Sequence, residues 1–195
     1  VTALSQGSLQ REGELLPSLP SDALLDNYRA EQVAGFGTFV HRVCEARLLN
    51  EKIDDIRVLL PSDLTSVLKA SELTAVVEDA KTLCEKLLSS AWYKREVAPY
   101  RCETEVGFFQ RWEHEGRTIV LEGSIDLLVH RPDGFLVVDF KTDRVRMEQA
   151  HRHQVETYME AVRRLYGPNV SGCVVYLRDV KDIVLWEGDD GKSIV

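Results

Sequence analysis

Asp126, Asp139 and Lys141 stand in a run, residues 122–144, whose other members are largely apolar. Residues 121–130 and 135–141 are rich in Ile, Leu, Val and Phe. Between them, Arg131-Pro132-Asp133-Gly134 reads as a tight turn, with Pro presetting φ and Gly taking the left-handed position. If Arg131 pairs with Gly134, facing residues have numbers of constant sum, and Asp126 falls opposite Asp139. Side chains alternate along a strand, so Lys141 shares the face of Asp139. Two carboxylates and an ammonium then converge on a patch one side chain wide. Paired carboxylates repel each other and lose hydration there, and a cation between them relieves both penalties. Acids and lysines at strand ends are more often solvated edges. Here, however, Asp139 interrupts Leu136-Val137-Val138 and Phe140, and Asp126 sits between Ile125 and Leu127-Leu128-Val129. Embedded acids at matched register point to a site, and hard oxygen ligands suit Mg²⁺ or Mn²⁺.

The flanking segments must position these groups. Residues 1–20 are punctuated by Ser, Gly and Pro and read as a tail or linker, leaving 21–195 as one domain. Ser21-Asp22 is placed to cap a short helix through Leu24, Leu25 and Tyr28. Gly35-Phe36-Gly37-Thr38 leads into a helix with Phe39, Val40, Val43, Cys44 and Leu48 at helical spacing and His41 near its start. Residues 52–63 are mixed, with Pro61 as a break. Residues 71–89 repeat apolar positions at 3, 4 spacing, an amphipathic helix. Residues 97–109 read as a strand with Glu103 and Glu105 on one face, and 110–117 as a polar loop. A helix over 146–166 has Val155, Met159, Val162 and Tyr166 as its core stripe and places His151, Gln154 and Tyr158 on an adjacent face. Gly167-Pro168-Asn169 ends it, and strands at 172–177 and 182–186 follow. The order predicts an α/β fold, a mixed central sheet flanked by helices, behind a helical N-terminal half.

Composition sets the outer bounds. A chain of 195 residues, 44% hydrophobic and 29% charged, carries one full core. No apolar run approaches the roughly 18 residues of a membrane span, and no secretory leader is visible, so a cytoplasmic protein is expected. Beginning at Val1 fits a domain cut from a longer protein. Cys44, Cys84, Cys102 and Cys173 form no CxxC pair and read as isolated buried thiols rather than a zinc or iron–sulfur site. No GxSxG elbow supports a serine hydrolase. The net charge of −8 is unlike that of a free-standing nucleic-acid binder. Charge is uneven, though: residues 141–153 hold four Lys/Arg and two His against two acids, directly after the carboxylates. Arg144, Arg146, His151 and Arg152 there are candidates for holding a polyanion.

Gly123-Ser124-Ile125-Asp126, Val138-Asp139-Phe140-Lys141-Thr142 and Gln154-Val155-Glu156-Thr157-Tyr158 together resemble the nuclease domain of RecB/AddA-type helicase–nucleases, of the PD-(D/E)xK superfamily. Gly37-Thr38-Phe39-Val40-His41 is similar to the family's G-x-x-x-H helix. Glu105-Val106-Gly107-Phe108 is similar to its E-x-P-F strand, with Gly in place of Pro. The resemblance spans residues 35–186 and implies a restriction-endonuclease-like core. It implies His41, Asp126, Asp139 and the Phe140 carbonyl as ligands of Mg²⁺ or Mn²⁺, Lys141 as the catalytic lysine, and Glu105, Gln154 and Tyr158 as further site residues. The implied activity is metal-dependent hydrolysis of DNA, as an exonuclease acting in double-strand-break repair. The implied partners are DNA ends, the helicase motors of a parent chain and a partner subunit. The motors' own G-x-x-x-x-G-K-[ST] loop is absent here. A DNA-binding module of the same fold that does not cut, or a free-standing nuclease, would share these motifs.

Overall fold

The turn at Arg131–Gly134 forms as its residues require. Gly134 has φ 145°, and a Cβ there would lie 2.1 Å from the Asn169 carbonyl oxygen, so only glycine fits. The computed structural model describes residues 30–114, 117–181 and 183–186; the tail and the helix expected from Ser21 lie outside them. Five strands, β1 (Arg101–His114), β2 (Arg117–Arg131), β3 (Gly134–Lys141), β4 (Val170–Tyr176) and β5 (Leu185–Trp186), form one sheet in that order. β3 and β4 are parallel and the other neighbours antiparallel. Helices α1 (Ala30–Leu48), α2 (Ser62–Val67), α3 (Ala70–Ser89) and α4 (Ala91–Glu96) precede the sheet, and α5 (Glu148–Tyr166) makes the β3–β4 crossover. This is the expected mixed sheet with flanking helices.

Alternation sorts the sheet's side chains into two cores. Leu127, Val129, Leu136, Val138, Phe140, Cys173 and Val175 pack with Phe39, Val40 and Val43 of α1 and Val76, Val77 and Leu83 of α3. Leu128, Val137 and Val174 pack on the other face with Val155, Met159 and Val162 of α5. Gly172 lets α5 lie close, since a Cβ there would come within 2.5 Å of Val155 Cγ1 and Met159 Sδ.

Several local expectations change. Residues 110–114 and 117 belong to a long β1–β2 hairpin, not a loop, because Trp112 and Arg111 find backbone partners in Ile119 and Val120 despite the polar sequence; residues 115 and 116 of the expected loop lie outside the described residues. Residues 97–100 belong to the turn after α4; Ser90 Oγ accepts the Tyr93 N–H at 3.0 Å and starts that helix. The Gly35–Thr38 stretch lies inside α1, so His41 is well past its start. Its glycines serve close approach: a Cβ at Gly35 would meet Leu64 at 3.1 Å and one at Gly37 would meet Thr142 Oγ1 at 3.4 Å. Tyr166 is exposed, stacked on Phe135 at 4.9 Å rather than in the core. Cys44 and Cys84 are not isolated but hydrogen-bonded to each other between α1 and α3, and Cys102 is only half-buried.

Candidate active site

The β2–β3 register is that of the hairpin expectation, with Arg131 opposite Gly134 and Leu127 opposite Val138. The pairing ends there, one residue short of Asp126 and Asp139, and strand pairing gives way to side-chain bonding. Asp126 Oδ2 accepts the Phe140 N–H at 2.6 Å, so the backbone of β3 fixes the carboxylate. Asp126 Oδ1 lies 3.4 Å from His41 Nδ1 on α1, and the imidazole stands edge-on to the Phe140 ring. The α1 face thus delivers the histidine, and the β2–β3 hairpin delivers the acids.

Glu105 reaches the same place by a backbone irregularity. Its φ of 48° is left-handed, a conformation costing a non-glycine residue about 1–3 kcal/mol. The alternation of β1 reverses there: Thr104 bonds Glu45 of α1, whereas Val106 and Phe108 pack toward α5. Glu103 and Glu105 consequently do not act together. Glu103 pairs with Arg101 and His130, while Glu105 accepts a 2.9 Å hydrogen bond from Ser124. Ligand atoms of His41, Glu105 and Asp126 lie within 4.8 Å of one another. That is somewhat wider than the roughly 4.2 Å between opposite ligands on Mg²⁺, so the three atoms would have to draw in by about half an ångström to share a small divalent ion. The sequence alone assigns Ser124 no role. Its place two residues before Asp126, opposite Gly107, is the signal that would have found it.

Asp139 lies beside that trio, turned to the lysine. Lys141 Nζ donates to Asp139 Oδ1 at 3.1 Å and approaches Oδ2 at 2.9 Å, which accepts no well-aligned hydrogen bond. Lys141 Nζ also donates to Gln154 Oε1 at 2.9 Å, and Gln154 Nε2 donates to Tyr158 Oη at 2.7 Å. The Gln and Tyr of α5, one turn apart, therefore aim the ammonium. Gly123 leaves room for Phe108 and Tyr158 to meet edge-to-face, since a Cβ there would lie 2.8 Å from the Phe108 ring. Burial pushes the Asp139 carboxyl up to about 6 against the charge of Lys141, with Asp126 adding to the rise. Burial works against the charged His41 imidazole, but the hydrogen bond and charge of Asp126 outweigh it and leave its pKa raised. Burial likewise raises the Tyr158 hydroxyl, which stays protonated. A buried carboxylate beside an acid–imidazole trio is an arrangement a divalent cation would complete.

The basic residues that follow are placed less uniformly. Arg146 pairs with Asp179 at 3.2 Å and lies over the Tyr176 ring, and Arg152 pairs with Glu156 at 2.8 Å beside Trp186. Arg144 is half-buried. His151 is 7% exposed, with Nδ1 2.9 Å from Tyr176 Oη and Nε2 4.0 Å from Asp143, so its ring lies behind the surface.

Comparison with known proteins agrees with this geometry. The chain is 29% identical over 177 residues to an ATP-dependent helicase/nuclease subunit of Moorella thermoacetica, an alignment covering 80% of this chain and 12% of that protein. The corresponding subunit of Anoxybacillus flavithermus is 32% identical over 104 residues, 49% of this chain and 9% of that protein. The chain thus spans about a tenth of the length of these relatives. A crystal structure of a candidate exonuclease from Eubacterium rectale shares the fold, with a TM-score of 0.51 at 14% identity over 80% of this chain and 60% of that one. Residues 9–187 match the family described as the PD-(D/E)XK nuclease superfamily, and the chain belongs to it.

Proposed function

We propose that this domain is a Mg²⁺- or Mn²⁺-dependent deoxyribonuclease, an exonuclease serving a RecB/AddA-type helicase–nuclease in cytoplasmic double-strand-break repair. The observation that carries the reading is the meeting of two groups: the His41–Glu105–Asp126 trio and the Asp139–Lys141–Gln154 chain. Hydrolysis of a phosphodiester needs a positioned water, neutralisation of charge gathering on the phosphoryl oxygens, and help for the departing alkoxide. A divalent ion held by His41, Asp126 and Asp139, with Glu105, would supply Lewis acidity and a water of lowered pKa. Lys141, held from two sides, orients the water or meets the developing negative charge. Gln154 and Tyr158 keep the ammonium in place, and the Phe140 backbone, whose N–H holds Asp126, sets the ligand side of the strand. Arg144, Arg146 and Arg152 meet phosphates without reading sequence, and His151 backs Arg146 through the Tyr176 ring beneath it.

Among the described residues no helix is long and apolar enough to cross a membrane. The relatives' names supply the setting of helicase motors and a partner subunit. The deciding experiment compares wild type with Lys141→Ala on linear DNA in Mn²⁺. Wild type should cut, and the variant should fall to background while still binding Mn²⁺. Lys141→Arg should rescue poorly, because a planar fork does not place its charge where an ammonium does. A wild type that cuts no linear or single-stranded DNA would leave a non-cutting DNA-binding module. A Lys141→Ala variant that cuts at wild-type rate would remove the lysine from the chemistry.

A further inference from the structure

The β1–β2 hairpin runs on past the acids with one face covered and the other open. Phe108 is 8% exposed against Tyr158, whereas Phe109, the next residue, is 69% exposed. From Glu105 outward the alternate residues Glu105, Gly107, Phe109 and Arg111 are all exposed. Their partners on β2 are Ser124 opposite Gly107, Glu122 opposite Phe109 and Val120 opposite Arg111. The open face that carries Glu105 therefore carries Phe109 as well.

Three further features make this face a track. A Cβ at Gly107 would meet nothing within 4 Å, so bare backbone open to solvent lies between the acids and the ring. Strands rise about 3.4 Å per residue, which puts Phe109 about 14 Å from Glu105, the length of about four stacked nucleotides. The hairpin is also tied down, since Gln110 Nε2 donates to the Ala161 carbonyl on α5 at 2.8 Å. The ring is thus held at a set distance from the site. Its surroundings are Arg111, Glu122, Ser124 and half-buried Val120, not a contiguous apolar patch. That suits one base on one ring, with Arg111 available to a phosphate, better than a protein helix or strand.

We propose that Phe109 is a base-stacking platform that positions single-stranded DNA on the open face of the β1–β2 hairpin, within about four nucleotides of the bond to be cut. Stacking on the π-face of any base is sequence-tolerant. The inference rests on the nuclease reading but is tested apart from it.

The test uses the full chain carrying Lys141→Ala, with Mn²⁺ present and single-stranded oligonucleotides as the probe, so that binding is read without cleavage. Adding Phe109→Ala should weaken binding about tenfold, in the range that loss of one base–ring stack produces, while Phe109→Trp should hold or improve it. Oligonucleotides with one abasic position, moved stepwise, should locate a single position whose base, once removed, causes the same loss. On that oligonucleotide Phe109→Ala should cost nothing further. A 2-aminopurine at that position should be quenched by the Phe109 protein and not by the Ala variant. Unchanged affinity in Phe109→Ala, or an equal loss on every abasic oligonucleotide, would overturn the proposal. If wild type cuts no DNA while the Phe109 effects appear as described, the stacking platform stands and the nuclease reading falls.

Discussion

Asp139 is where burial and charge conflict most sharply, at 1% exposure with a carboxyl pushed up to about 6 from an ordinary 3.8. Between about pH 4 and 6 the folded protein holds a proton that the unfolded chain has released. Stability of the metal-free protein should therefore fall as pH rises through that window and level off above it. Asp139→Asn removes the titration, so in chelator its unfolding midpoint should change less with pH over that range than wild type's. Parallel curves for the two proteins would show that Asp139 ionises without penalty. Excess Mn²⁺ should recover wild-type stability above pH 6 and not that of the variant. Ser124 offers a second test, through the strained Glu105 it holds at 2.9 Å. Losing a hydrogen bond to a ligand costs about 10–100-fold in metal affinity at known sites. Ser124→Ala should weaken Mn²⁺ binding toward the lower end of that range, by calorimetry, with Ser124→Thr close to wild type. Equal affinity in Ser124→Ala would place Glu105 outside the metal site.

At the scale of elements, the hairpin and the parallel crossover carry the architecture, and the turn between β2 and β3 sets the register, which runs to Leu127 opposite Val138 beside Asp126 and Asp139. Gly134→Ala should therefore destabilise by more than about 2 kcal/mol, since it adds a left-handed penalty to a clash with the Asn169 backbone. Denaturant unfolding measures this, and a loss under about 0.5 kcal/mol would mean that the turn relaxes freely. This part of the fold was legible because two continuous apolar runs bounding a Pro-x-Gly turn encode pairing locally. The Gln154–Tyr158 spacing on α5 was legible locally too. The reversal at Glu105 was not, because a left-handed non-glycine residue leaves no mark on composition, and it alone decides that Glu105 and not Glu103 joins His41. The far hairpin was hidden too, since the polar Gln110 and Arg111 are held in β1 by pairing with Leu121 and Val120. The burial of His151 was equally hidden, because it depends on Tyr176, a partner twenty-five residues away.

For the whole molecule, the proposed function requires a chain of net charge −8 to hold a polyanion. The acids are spread over the chain, and, apart from Arg111 on the β1–β2 hairpin, the cations proposed to meet phosphates lie on the segment between β3 and mid-α5. Arg146 and Arg152 there are engaged with Asp179 and Glu156, exposed pairs worth well under about 1 kcal/mol and readily exchanged for phosphates. If Arg144, Arg146 and Arg152 each neutralise one phosphate of a single strand, they alone should give log K a slope of about −2 against log salt. Affinity would then drop about 20-fold between 50 and 200 mM salt. Anisotropy titrations of the Lys141→Ala protein with Mn²⁺ should show this slope on oligonucleotides of unrelated sequence. Arg146→Gln and Arg152→Gln should each flatten it by about 0.7 without altering sequence preference. A slope near zero would mean that binding is carried by the metal site and by stacking alone. Strong preference for one short sequence would mean that the protein reads bases. With only about three phosphates neutralised, this domain alone should bind DNA weakly at physiological salt, and attachment to a chain that already grips the DNA would raise the local strand concentration at its acids.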